Sequence, residues 1–146
     1  MKYLILFFLV ITIGIVGKEK VTKYHEEVFG NVEYNQYGIG FIVTKEGKWF
    51  AINKKGKLLH EVFTYDNGAD YVAEGLIRFV HNGKMGFINE KAKIVIPARF
   101  DFVEPFENGK ANFCNGCETE QVGEHKMFKK GTGTWGTINK QGMILK

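Results

Sequence analysis

A fixed-period internal repeat constrains this chain more than any other feature. Residues 47–59 read GKWFAINKKGKLL, and residues 83–95 read GKMGFINEKAKIV. Gly47, Lys48, Ile52, Asn53, Lys55 and Lys57 recur at an offset of 36 as Gly83, Lys84, Ile88, Asn89, Lys91 and Lys93. A third window, TWGTINKQGMIL at 134–145, places Trp135, Ile138 and Asn139 at an offset of 50 from Met85, Ile88 and Asn89, so fourteen residues are inserted before it. The stretch 74–79, EGLIRF, is echoed by 108–113, NGKANF. Upstream, 38–46 is a degenerate lead-in to the first copy. Self-similarity of this length marks a repeat architecture, in which packed neighbours bury the faces that one unit alone leaves open.

Within a unit the pattern is one of strands and tight turns. Leu76, Arg78 and Val80 alternate with Ile77 and Phe79, a strand with two unequal faces. Asn82-Gly83 follows, and a type I′ turn needs positive φ at both central positions. Residues 85–89 form the return strand, where Gly86 is expected to admit a close neighbour such as an aromatic ring of the next unit. The turn Asn89-Glu90-Lys91-Ala92 matches Asn53-Lys54-Lys55-Gly56 and Asn139-Lys140-Gln141-Gly142, so Ala92 stands where glycine supplies a left-handed residue. A third short strand, 93–96, is expected to end or lie at an edge at Pro97. Aromatic loops, FTYDNGADY and RFDFVEPFENG, close the first two units. Nearly all of the aromatics Trp49, Phe50, Phe79, Phe87, Phe102, Phe106, Phe113 and Trp135 are expected in the core. The fold class is therefore all-β, with antiparallel hairpins of about 36 residues stacked into a small repeat domain at 38–146. Residues 18–37 form a cap or linker, read as a short helix or an irregular segment.

The N-terminus differs in kind. Lys2 is followed by fifteen uncharged residues, YLILFFLVITIGIVG. A basic start and an apolar core at 1–17 read as a secretory signal, or as a membrane anchor if uncleaved. The protein is accordingly expected to be exported, periplasmic or extracellular, and to meet a membrane only through that segment. The net charge of +4 comes from scattered basic residues, with no basic face or module suited to nucleic acid.

These copies resemble the WG-repeat (KWG repeat) family. The pattern Gly-Lys-Trp-Gly-aromatic-Ile-Asn/Asp-x-x-Gly, then a short apolar strand with Pro and an aromatic loop, is carried by Gly83, Gly86, Asn89, Pro97, Phe106 and their neighbours. Gly47, Trp49 and Asn53 carry it in the first copy, and Trp135, Gly136 and Asn139 in the third. Phe50, Met85 and Thr137 depart from it. The resemblance implies a binding or scaffolding role for an unspecified protein or surface partner, and no general activity or cofactor.

The distinctive chemistry lies in the insertion, at about 114–131. Cys114 and Cys117 are the only cysteines in the sequence. An exported chain permits a disulfide between them, with Asn115-Gly116 as the turn. Three alternatives remain open: free, unreactive structural thiols, a metal site using Cys114, Cys117 and His125, or a thiol-redox pair. The sequence contains no serine, and its histidines and carboxylates form no catalytic constellation. A non-enzymatic extracytoplasmic module is the leading reading, and a small metal or redox protein the alternative.

Overall fold

A computed structural model describes residues 19–129 and 131–146. The expected signal or anchor at 1–17 lies outside the described residues. Among them, no helix is long and apolar enough to cross a membrane. One short helix, α1 (Lys23–Phe29), comes first. The first unit is β1 (Ile39–Val43), β2 (Trp49–Asn53) and β3 (Leu58–Val62), followed by a loop that carries β4 (Thr64–Tyr65) and β5 (Gly68–Ala69). The second is β6 (Leu76–His81), β7 (Lys84–Asn89) and β8 (Ile94–Phe100), with β9 (Phe102–Val103) in its loop. The third begins with β10 (Lys110–Asn115). After a hairpin of β11 (Thr119–Val122) and β12 (His125–Phe128), it resumes with β13 (Thr134–Asn139) and β14 (Ile144–Leu145). All pairings are antiparallel. One sheet runs β1-β2-β3-β6-β7-β8, another β14-β13-β10-β9, and the pairs β11-β12 and β4-β5 stand apart.

Strand register shows how the units stack. Cross-strand partners share a face. Val43 pairs with Trp49, Val80 with Met85 and Cys114 with Trp135, so these three pairs are equivalent. Each unit thus has a leading face, Ile39-Phe41-Val43-Trp49-Ala51 in the first and Leu76-Arg78-Val80-Met85-Phe87 in the second. The trailing face carries the alternate residues. Ile39, Val43, Trp49 and Ala51 form one core with Ile77, Phe79, Ile88 and Ala92 from the second unit. Leu76, Met85 and Phe87 form the other with Ala111, Phe113 and Ile138 from the third. The middle hairpin is consequently buried on both sides, which explains the near-continuous apolar run of β6. Phe87 and Ile88, 1% and 0% exposed, contribute about 1.5–3 kcal/mol each by burial.

The same turn recurs at each unit. Asn53 Oδ1 accepts from the N–H of Lys55 and Lys57, Asn89 Oδ1 from Lys91 and Lys93, and Asn139 Oδ1 from Gln141 and Met143. Asn82 and Gly83 both have positive φ, as a type I′ turn requires. Ala92 adopts φ 56 and so keeps the turn that glycine makes elsewhere. Asn89→Ala is expected to cost about 1–2 kcal/mol by leaving two turn N–H groups without their acceptor, read as a lower urea midpoint.

Two expectations are corrected, and of the two readings of Pro97 the edge one holds. The nearest neighbours of Gly86 are backbone atoms, not an aromatic ring. A Cβ there would lie 2.6 Å from Pro97 C and 2.7 Å from Ala98 N, and closer still to Ile96 O, because β8 bulges against β7 at this point. It is Gly136 that lies under a ring, with Phe113 Cζ 2.6 Å from the site of a Cβ. Pro97 does not end its strand; β8 continues to Phe100, and as a sheet edge it needs no N–H at Pro97. Trp135 is not core but 45% exposed, against 8% for Trp49, because no unit among the described residues packs on the third leading face.

The N-terminal end is covered. Gly40 and Ile42 lie on the trailing face of the first unit, and a Cβ on Gly40 would strike Val32 and Tyr34 side chains. Tyr34 bridges Gly40 along the free edge of β1. His25 is buried between the rings of Phe29 and Trp49, and its Nδ1 accepts from the N–H of Val43 at 3.3 Å. Burial holds the His25 imidazole below its ordinary pKa, which keeps it a neutral acceptor for that edge.

Candidate functional site at the open end of the stack

The third leading face consists of Lys110, Asn112 and Cys114 on β10 and Trp135 and Thr137 on β13, set side by side by their register. Phe102 joins it from β9, opposite Cys114. Lys110, Asn112 and Trp135 are exposed and Thr137 is half-buried, whereas the equivalent Leu76, Arg78, Met85 and Phe87 are covered. This is an aromatic and basic surface at a place where the repeat would otherwise bury its apolar residues.

The insertion folds against one side of this face. Cys114 belongs to β10 itself and is fully buried. Its sulfur contacts that of Cys117, with the Cα atoms 6.0 Å apart, inside the range a disulfide spans. Asp101 anchors the intervening turn by accepting from the N–H of Gly116 and pairing with Lys84. Asn115 Oδ1 returns a bond by accepting from the Asp101 N–H at 3.1 Å. Gly133 packs so closely that a Cβ there would lie 2.8 Å from Cys114 Sγ. At the hairpin's base, Glu118 N–H donates to Thr132 Oγ1 and Lys129 N–H to Glu118 O. The β12 residue Phe128 then lies 4.5 Å from the ring of Phe102 and 5.6 Å from that of Trp135.

The Gly116 N–H, and after it Lys84, holds the Asp101 carboxyl below the ordinary value of 3.8. A depressed carboxyl contributes stability that is present above its unfolded pKa and lost as pH falls through the folded one. Asp101→Asn is expected to lose about 1 kcal/mol at neutral pH, after allowance for solvent screening. The difference from the parent should shrink as the pH falls below 3.8 and through the lowered folded value, where both carry a neutral side chain. Urea midpoints across that range measure it.

Of the expected site residues, the fold brings Cys114 and Cys117 together. His125 starts β12 at the far end of the hairpin, opposite Val122, while the cysteines lie at its base. The four-residue strand between them spans about 13 Å at 3.3 Å per residue, so the backbone does not gather the three. Among the described residues there is no group of three His, Cys, Asp or Glu side chains able to hold a metal. The expected repeat residues sit at equivalent points: Gly47 and Gly83 in the first turn of a hairpin, Asn53, Asn89 and Asn139 in the second.

The segment 85–116, from β7 to the cysteine turn, matches the family model described as WG containing repeat. This stretch of the chain is similar to a WG repeat. Its match ends just where the insertion begins, so the hairpin lies outside the family pattern. No curated protein and no solved structure is significantly similar to the chain.

Two features of the stack were not anticipated from the residues. Asn35 makes the same turn as the three repeat asparagines, accepting from Tyr37 and Ile39. The signal was present as Asn35-x-x-Gly38. Arg78, on a leading face, is held by Asp70 in a buried pair. The echo of that pair is Asn112, which donates to Glu104 at the exposed end. The same offset of 34 residues relates both partners, and only an arginine inside an apolar strand hinted at it.

Proposed function

We propose that this WG-repeat chain is a non-enzymatic, extracytoplasmic module that binds a protein or surface partner through the open end of its stack. One observation carries this reading. Trp135 is 45% exposed, with Phe128 leaning on it, at a position that the following unit covers in both earlier copies. Aromatic side chains beside a basic one are the usual anchors of a protein interface. The apolar start of the chain supports export. Cys114 and Cys117 are then a structural disulfide, which an oxidising compartment permits and which fixes the hairpin to β10. A sulfur buried within a strand suits that role better than thiol exchange, which needs an accessible thiolate.

The test is photo-crosslinking in bacterial cells that express the full chain, with a benzophenone side chain at position 137 or, as a control, at exposed Lys57. A discrete adduct from position 137 alone, in the extracytoplasmic fraction, is the expected result. A chain retained in the cytoplasm, or equal labelling from both positions, would refute it. Thiol titration of the purified protein should find no reactive thiol until a reductant is added; stoichiometric zinc would instead point to a metal protein.

A further inference from the structure

On the loop side of the stack, a cleft of about 570 Å³ opens between the aromatic loops of the first and second units. Tyr65 and Tyr71 line it from the first loop, and Glu104 and Glu107 from the second. Arg78 forms its floor. We propose that this cleft binds the basic side chain of a peptide, an arginine guanidinium or a lysine ammonium.

Three observations converge on a cation. The tyrosines are 53% and 48% exposed, and their rings meet edge to face with centroids 5.4 Å apart. That geometry makes an electron-rich corner, where a cation gains from the ring quadrupoles, and not the flat shelf on which a sugar ring stacks. The charge of the floor is already cancelled. Arg78 Nη2 donates to Asp70 Oδ1 at 2.6 Å and its Nε to Asp70 Oδ2 at 3.0 Å. Glu104 and Glu107 therefore add two negative charges to a neutral base, and neither is in an ion pair among the described residues. In a chain of net charge +4 this is a local reversal of sign. Finally, the aromatic wall already accommodates a guanidinium from inside. The Arg78 carbon lies 4.4 Å from the centroid of Phe63 and 5.9 Å from that of Tyr65. A second cation entering from solvent would meet the outer faces of the tyrosines with the two carboxylates beyond them.

The cleft is built by adjacent copies of the same loop. Asp70 and Glu104 occupy corresponding places, as do Ala73 and Glu107. The first copy turns its acid inward to Arg78; in the second, Glu104 lines the cleft while one of its oxygens accepts from Asn112, and Glu107 lines it with no ion pair among the described residues. Glu104 reaches the end face only through Asn112, so this site stands whether or not that face binds a partner.

The test is an NMR titration of the full chain with N-acetyl-arginine amide and N-acetyl-lysine amide, with N-acetyl-glutamine amide and chitotriose as neutral probes. Saturable shifts confined to Tyr65, Tyr71 and Glu107 are expected from the two cations, with millimolar affinity that falls as salt rises. Tyr65→Ala and Glu107→Gln should each weaken binding about tenfold, as the loss of one cation–π or charged contact implies. Both side chains are solvent-facing, so an unchanged amide spectrum elsewhere will show that each variant is folded. Equal shifts from the glutamine probe, saturation by chitotriose, or no saturable shift at all would overturn the proposal.

Discussion

Asp70→Ala is expected to lower the unfolding free energy by about 3–5 kcal/mol, read from urea denaturation followed by circular dichroism. Both side chains of its pair with Arg78 are out of solvent, at 1% and 4% exposure. Asp70 accepts from Nε and Nη2 of Arg78, and from the backbone N–H of the same residue. Removing the acid leaves a guanidinium buried on the leading face of the second unit with the Val103 carbonyl at 3.4 Å and the rings of Phe63 and Tyr65 for company. A buried charge without its partner carries nearly its full desolvation penalty. Arg78→Met in the same background removes that charge and keeps much of the volume. The double variant should therefore recover most of the loss, short of about 1–2 kcal/mol for the orphaned Arg78 N–H. A double variant as unstable as Asp70→Ala alone would show that the acid holds the loop by some other contact.

The second large effect is steric. Gly86→Ala is expected to cost about 3 kcal/mol or more, above the usual range for an overpacked methyl. The added carbon would meet backbone atoms of Ile96, Pro97 and Ala98, which have no rotamer to turn away. β8 must move, and with it Ile96 and Phe100 in the core shared with the third unit. Gly136→Ala makes the informative contrast. There the obstacle is the ring of Phe113, a side chain that can tilt, so about 1–2 kcal/mol is expected. Thermal or urea midpoints of the two variants, measured side by side, distinguish backbone from side-chain obstruction.

What could be read before the structure was whatever the repeat states locally. The spacing of Asn53, Asn89 and Asn139 announced their turns, and Asn82-Gly83 its hairpin, because each turn is closed by atoms within a few residues. The alternation in β6 announced a strand with two faces. Features closed by distant atoms were hidden. Nothing in the spacing of Asp70 and Arg78 says that the aromatic loop folds back on the strand. Gly86 announced a close neighbour without naming it, since the neighbour is a bulge set by Pro97 one strand away. Trp135 read as core because its copies are core; its exposure depends on what packs against the third leading face, which the local pattern does not state. The cleft lined by Tyr65, Tyr71, Glu104 and Glu107 was equally hidden, because it exists only once two loops 34 residues apart lie side by side. The cysteine pair was legible as a pair, but the burial of Cys114 in β10 was not, since that follows from the hairpin and Gly133 closing over it.

The chain's two tryptophans occupy equivalent positions in the first and third units, and they test the stacking order directly. Acrylamide quenching of fluorescence is the measurement, made on Trp49→Phe, which leaves Trp135, and on Trp135→Phe, which leaves Trp49. With Trp135 at 45% exposure and Trp49 at 8%, the quenching constant of the first variant should exceed that of the second several-fold. Equal constants, or a more protected Trp135, would mean that the third leading face is covered and that the stack has no open end.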